Sequence, residues 1–536
     1  MRSSPNTSLT GGEGTPSCRS PTCCGIFLRA WPHVIAHWRA IIALLILVPA
    51  ALLVIRLLEL NLFFELIGFA LLLIFVASQL FWIGRVLDLG QRFIPGKPRR
   101  KWLAVIAGLI YLFFFGYWLS SGLPGHHARA ADLLVVGAFA WWLVGSVPAF
   151  ALVIAFRMGE RAASATAWAY RKARQAAPGH APAPQPTAVA LDPPSPARRR
   201  FLEQTAVLVS ATPFVAVGYG LLYERLDVEV VRQRIRLARL PKAFEGFRIA
   251  QLSDMHISPF TTAGYIRRCV AMTNGLKPDL VVLTGDYVDW NAAPQREVVE
   301  ALAGLRAPYG VFGCLGNHEA ITEVEESITR LFAAQGIRIL RQERAPIRVG
   351  GEKINLIGMD SPVGRNEEEA RAKSNRCWQQ VKGLVMPETV NILLVHFPFV
   401  FGRAAELGID LTLAGHTHGG QLSLDFLHRG LNFSALETPY VSGWYEKRGA
   451  QLYVNRGIGT INPNIRLGAP PEITVLELTR AQSWPLGDSA RGGRVDLLDL
   501  SDSKSHGLSV FKCRSCSNFP EHPCRHQQQL ATRLDR

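Results

Sequence analysis

Seven residues in five short stretches carry the chemistry of this chain. They are Asp254 and His256 in LSDMHIS, Asp286 in LTGDYVDW, Asn317 in CLGNHEA, His396 in LLVHFPF, and His416 with His418 in LAGHTHGG. Each stretch is an apolar run of strand character that delivers polar residues to a turn. Carboxylate, imidazole and amide groups presented at successive strand ends build a metal site. Neutral imidazole with carboxylate and amide oxygen, and no cysteine, suits Mn, Fe or Zn better than soft, thiolate-seeking ions. Seven ligands suffice for two divalent metal ions. One carboxylate can bridge them, and a pair held about 3.5–4 Å apart clamps the attacking and leaving oxygens of phosphoryl hydrolysis. Asp286 is the bridge expected here, and His318, inside the same GNHE, stands beside the site as the candidate acid.

Plainer readings exist for several of these residues. Taken alone, His396 after its strand reads more simply as a partly buried imidazole than as a ligand; its place in the ordered set reverses that. Asp289, three residues after Asp286, either orients a ligand or is a solvated turn aspartate. Asn455 and Arg456 follow the strand-like QLYV and precede Gly457 and Gly459. They either meet the substrate phosphate or are solvated loop groups.

The order D-x-H, G-D, G-N-H-E, lone H, G-H-x-H, complete from Asp254 to His418, resembles the calcineurin-like metallophosphoesterase superfamily. The later YVNRGIGT and IRLGAPPEITVLEL stretches resemble its bacterial membrane-anchored phosphodiesterase branch. The resemblance covers roughly residues 245–480. It implies one metal held by Asp254, His256, Asp286 and His418, and another by Asp286, Asn317, His396 and His416. It further implies a metal-bridging hydroxide attacking phosphorus in line, with His318 protonating the departing alkoxide. The substrate so implied is a phosphate mono- or diester, lipid-linked if the anchor holds the site close to a bilayer.

These residues need strands to deliver them. FRIAQLSD, DLVVLTGD, GVFGCLGN, KINLIGMD, VNILLVH and DLTLAGH read as mostly buried strands, with QLYVNR and EITVLEL after them; 264–275, 321–335, 366–383 and 399–407 have helical spacing. Periodicity supports α/β layers, and the resemblance implies that these are an α-β-β-α sandwich. The metallophosphoesterase domain is expected over 240–480.

Composition frames the rest. Lys and Arg number 58 against 42 Asp and Glu, giving a formal charge of +16, while 49% of residues are hydrophobic. The apolar content is local: runs at about 40–55, 66–84, 102–119 and 133–156 each approach the length that crosses a bilayer as a helix. An all-α transmembrane region is therefore expected over 40–160, after an amino-terminal tail over 1–39. Basic residues crowd before the first run, between the second and third, and after the fourth, whereas the alternate short loops hold only Arg56 and Arg129. By the positive-inside rule those crowded segments are cytoplasmic. The charge is thus a topology signal, and without a nucleic-acid-binding motif no nucleic-acid partner is expected.

A Pro/Ala-rich linker over 161–200 ends in ARRRFLEQ, where Arg198, Arg199, Phe201 and Leu202 match a twin-arginine pattern. A fifth span, over 201–223, would then cross outward. The protein would sit multi-pass in a bacterial inner membrane with its catalytic domain outside the cytoplasm. The competing reading is an amphipathic helix that leaves the domain inside. Nine cysteines are scattered without a disulfide framework, and Cys513, Cys516, Cys524 and His526 are poorly spaced for zinc. Residues 481–536 read as a disordered tail.

Two alternatives to the anchored phosphoesterase stand at this stage. One is a pyrophosphohydrolase of the UDP-2,3-diacylglucosamine type in lipid A synthesis, which requires a cytoplasmic domain. The other is a non-enzymatic membrane receptor or scaffold with a structural metal site.

Overall fold

The computed structural model describes residues 62–93, 97–121, 130–176 and 196–481, apart from 365, 424 and 426–431. The first expected span at 40–55, the expected amino-terminal tail and the expected carboxyl-terminal tail lie outside the described residues, as do six of the cysteines. The chain divides at Phe81 and Trp82 into two compact units. In the first, the described part is the leading portion of one helix, from Leu62 onward; every contact described below lies in the second.

Among the described residues four helices come first: α1 (Leu62–Phe93), α2 (Lys97–Ser121), α3 (Ala130–Ala176) and α4 (Pro196–Leu222). Among the described residues three stretches are long and apolar enough to cross a membrane, at Phe69–Leu87, Leu133–Tyr170 and Gln204–Leu226, the last running past the end of α4; α2 carries a shorter apolar run at Gly108–Tyr117. Many of their apolar side chains point outward. Leu208 and Val215 on α4 are each 70% exposed and Leu112 on α2 is 64% exposed, as lipid-facing positions would be. The helix expected to end near 156 runs on to Ala176, because RAASATAWAYRKARQA is rich in Ala, Arg and Lys and meets no proline before Pro178. The front of the expected linker is therefore helical.

Helices α3 and α4 run antiparallel. Trp141 Nε1 donates to the Phe214 carbonyl at 2.7 Å, and the Phe214 ring lies where a side chain at Gly145 would go. Farther along the pair, Gly137 faces Leu221.

The chain from Glu229 to Arg480 is built on two six-stranded sheets. In order across the first they are β1 (Glu229–Leu237), β12 (Glu472–Arg480), β2 (Arg248–Leu252), β3 (Leu280–Thr284), β4 (Val311–Cys314) and β5 (Ile337–Ile339). Across the second they are β10 (Gly443–Lys447), β11 (Ala450–Val454), β9 (Leu411–Ala414), β8 (Asn391–Leu394), β7 (Glu352–Gly358) and β6 (Glu343–Val349). β2 to β5 are parallel, as are β7, β8, β9 and β11.

The sheets pack face to face through Ile249, Leu280, Val282, Leu356, Ile392, Leu413 and Leu476, all fully buried. The outer face of the first sheet carries helices α5 (Ala263–Gly275), α6 (Gln295–Leu302) and α8 (Glu325–Ala334), preceded by the short α7 (Asn317–Ile321). The outer face of the second carries α9 (Glu367–Leu384) and α10 (Phe401–Glu406). This is the α-β-β-α sandwich, preceded by apolar helices.

Candidate metal centre

All seven candidate ligands leave the carboxyl ends of the central strands. Asp254 follows β2, Asp286 follows β3, Asn317 follows β4, His396 follows β8, and His416 and His418 follow β9. The turns are tight. Asp254, His256, Asp286, His416 and His418 all have positive φ, between 43° and 76°. Such backbone is costly for residues with a Cβ, by about 1–3 kcal/mol each, and persists where the surroundings over-determine it. Those surroundings are visible: Asp254 N–H donates to Gly285 O and His256 N–H to Asp286 O, both at 3.0 Å, while His416 N–H donates to the Asp254 carboxylate at 3.1 Å. Gly316 and Gly415 stand where a Cβ would lie 2.0 Å from Asp286 Oδ1 and from Ser253 Oγ, so only glycine lets these loops close on the carboxylates.

The side chains converge. Within each of the groups Asp254–His256–His418, His256–Asp286–His318 and Asp286–His396–His416, the candidate ligand atoms lie within 4.8 Å of one another, and every member is buried. His396 Nε2 is 2.9 Å and His256 Nε2 3.4 Å from Asp286 Oδ2; His418 Nε2 is 3.4 Å from Asp254 Oδ1 and 3.1 Å from His256 Nε2. His396 Nδ1 donates to Thr284 O at 2.7 Å, which leaves Nε2 as the lone-pair nitrogen of the neutral ring. Two lone-pair donors then face each other at 2.9 Å, an arrangement that an added proton or a shared cation resolves. Burial would lower His396, but the Asp286 carboxylate outweighs it and raises the imidazole to about 9.

Burial would likewise raise both aspartates. The facing imidazoles, His418 for Asp254 and His396 for Asp286, more than reverse that and hold both below the usual carboxylate range. Asn317 Oδ1 and His396 Nε2 are buried without a hydrogen-bond partner. Fixed anionic and lone-pair groups aimed at one another, with orphaned acceptors among them, fit divalent cations.

His318 lies beside this group. Its amide donates to Asp286 Oδ1 at 3.0 Å, and its ring meets those of His256 and Trp290 at centroid distances of 4.5 and 4.7 Å. Burial pushes it down to about 4, against the pull of Asp286. Asp289 Oδ1 lies 3.7 Å from His256 Nδ1 and 3.8 Å from His318 Nδ1, and burial raises this carboxyl to about 6. Its position is between two site imidazoles rather than in solvent.

Asn455 is buried and donates to Thr474 Oγ1 at 2.7 Å, while its Oδ1 accepts from Gly457 N–H at 2.7 Å. The Arg456 guanidinium is ion-paired with Glu472 at 2.6 Å and Glu229 at 2.8 Å. The structure therefore places its charge against two carboxylates of the fold.

Two residues emerge that the motif reading did not single out. Glu319, the last letter of GNHE, is fully buried and accepts from four backbone amides, those of Gly316, Asp286, Tyr287 and Val288, at 2.7 to 3.2 Å. It binds the Asp286 turn to the Asn317 turn. Its signal was a carboxylate three residues after a glycine at a helix start, which is a capping-box position. Arg466 is completely buried behind His418. Its signal was a lone charge inside NIRLGAPP.

Comparison with known proteins bears on what this geometry serves. The chain is 30% identical to the metallophosphoesterase YkuE of Bacillus subtilis over 52% of its own length and 97% of that protein. It is 31% identical to the phosphodiesterase YaeI of Escherichia coli over 52% of its length and 98% of that protein. The calcineurin-like phosphoesterase profile matches residues 247–420. The chain belongs to the calcineurin-like phosphoesterases. It is accordingly a metal-dependent phosphoester hydrolase, and the reading as a non-enzymatic receptor or scaffold is set aside. Similarity extends to UDP-2,3-diacylglucosamine pyrophosphatase LpxG of Chlamydia muridarum, 26% identical over 44% of this chain and 86% of that protein.

Proposed function

We propose that this phosphoesterase is membrane-anchored, works with two divalent ions of the Mn, Fe or Zn kind, and hydrolyses phosphate esters presented at the bilayer surface. The observation that carries the reading is that Asp286 Oδ2 faces His256 of one buried ligand group at 3.4 Å and His396 of the other at 2.9 Å. In this assignment Asp254, His256 and His418 hold one ion with Asp286, and Asn317, His396 and His416 hold the other with the same carboxylate. When bound, the ions supply Lewis acidity that activates water at neutral pH and offsets charge on the phosphate.

The chain's own groups do the rest. Glu319 and the backbone ties keep both carboxylates in place, and Thr284 O fixes the His396 tautomer. His318, held neutral by burial, gains basicity when a phosphate anion lies beside it, takes up a proton from solvent as the substrate binds, and passes that proton to the leaving oxygen. The lipid-linked class is supported by how close the site is to the apolar helices. Phe260, four residues after His256, packs with Val136 and Ala140 of α3 and with Val217 and Leu221 of α4.

Similarity to the Chlamydia pyrophosphatase favours a second reading, cleavage of a nucleotide-sugar-lipid pyrophosphate, which needs the domain on the cytoplasmic side.

The test uses the purified full-length chain loaded with Mn, Fe or Zn. We expect hydrolysis of aryl phosphate esters and of a phospholipid head group. Asp286→Asn should lose both ions and Asn317→Ala mainly one, read by elemental analysis. Two ions and a normal rate in Asp286→Asn would overturn the shared-carboxylate assignment.

A further inference from the structure

The segment around Arg466 links the apolar helices to the metal centre. The Arg466 guanidinium donates to the carbonyls of Arg456, Gly457, Gly459 and Ala469 at 2.6 to 3.1 Å. It also lies 3.3 Å from both Nδ1 and the carbonyl of His418. The planar fork acts as a spacer of fixed shape between two loops. One of those loops backs Asp254: Gly459 N–H donates to Asp254 O at 2.8 Å, and Ile458 N–H donates to Ser253 O at 3.0 Å.

The same segment rests on α4. Arg466 N–H reaches Gly220 O at 3.4 Å, and Ile465 is fully buried among Val136, Ala140, Val217, Leu221 and Phe260. A Cβ at Gly220 would stand 2.3 Å from Arg466 O and 3.0 Å from Ile465 Cγ2, so the turn sits on bare helix backbone.

We propose that α4 positions the metal ligands Asp254 and His418: Gly220 is the seat of the Ile465–Arg466 turn, and Arg466 is the positioning residue that carries this constraint to the centre. The inference rests on the two-ion assignment above, and it makes the helix part of the site's geometry as well as its tether. A side chain at Gly220 must lift a backbone carbonyl, which cannot rotate away, and the displacement reaches His418 through the guanidinium.

Metal titration of the demetallated full-length chain tests this, with Mn followed by electron paramagnetic resonance and Co by its visible spectrum. In Gly220→Ala we expect one of the two ions to bind on the order of 10–100-fold more weakly, the range seen when groups supporting a ligand are lost. The other ion should be unchanged, and kcat should fall with KM unaltered. Arg466→Lys, which keeps the charge and loses the fork, should show the same one-ion loss, and it decides the matter if Gly220→Ala does not fold. Gly159→Ala, on α3 where a Cβ meets nothing within 4 Å, is the control and should match the wild type. Wild-type affinity for both ions in Gly220→Ala and Arg466→Lys, or equal weakening of both ions, overturns the proposal. A wild-type chain that binds fewer than two ions defeats the two-ion assignment, and with it this inference.

Discussion

His318 is the residue on which two roles compete. It shares a buried group with His256 and Asp286, as a ligand would, yet it also lies within 3.8 Å of Asp289 and against Trp290, as a proton donor held at the edge of the site would. Substituting alanine separates the roles. For the donor, His318→Ala should keep both metals while turnover of alkyl esters falls by roughly 10²–10⁴-fold. The loss should shrink for nitrophenyl esters, since nitrophenolate departs without much help from a proton. Equal losses on both substrates together with missing metal would make His318 a ligand and end its assignment as the acid. The motif order made the identities of these residues legible from the start. It could not show that Asp289 sits between two imidazoles or that Arg456 is paired with Glu229 and Glu472, because both facts depend on segments distant in sequence.

At the scale of elements, the site is held by ties between loops. Glu319 joins the turns after β3 and β4 through four amides. Glu319→Gln would turn an NH₂ toward N–H donors and leave buried groups unpaired, at a cost on the order of 3 kcal/mol. We expect a lower melting temperature and reduced metal content in this variant; an unchanged melting curve with both ions bound would show that the ties are redundant. The buried strands β2, β3, β4, β7, β8, β9, β11 and β12 were legible because apolar runs ending in glycine or a polar turn residue announce them. β1, β6 and β10 are edge strands; in β1 and β6 charged residues alternate with apolar ones, as in VVRQRIRL, a pattern that competes with that of an exposed loop. β5 and α6 are short, and tertiary packing rather than local sequence defines them.

For the whole molecule, the substrate class turns on which side of the membrane the enzyme faces. On the proposal that the basic loops before α4 are cytoplasmic and α4 crosses outward, a reporter fused after residue 230 should be active only as an extracytoplasmic reporter. Activity of a cytoplasmic reporter there would instead bring the substrate class of the Chlamydia relative into reach.

The first sheet also sets a timetable. β12 lies between β1 and β2, so the strand nearest the membrane helices has its ladder partner at the far end of the catalytic domain. A ribosome adding ~5–20 residues per second needs on the order of 10–50 s to travel from Leu237 to Arg480. Through that interval the nascent chain, with its apolar helices already made, exposes the edge of β2 and an unpaired β1. Each is an open template for pairing with the wrong strand. Newly made copies therefore depend on being kept apart, or attended by a chaperone, until the last strand arrives.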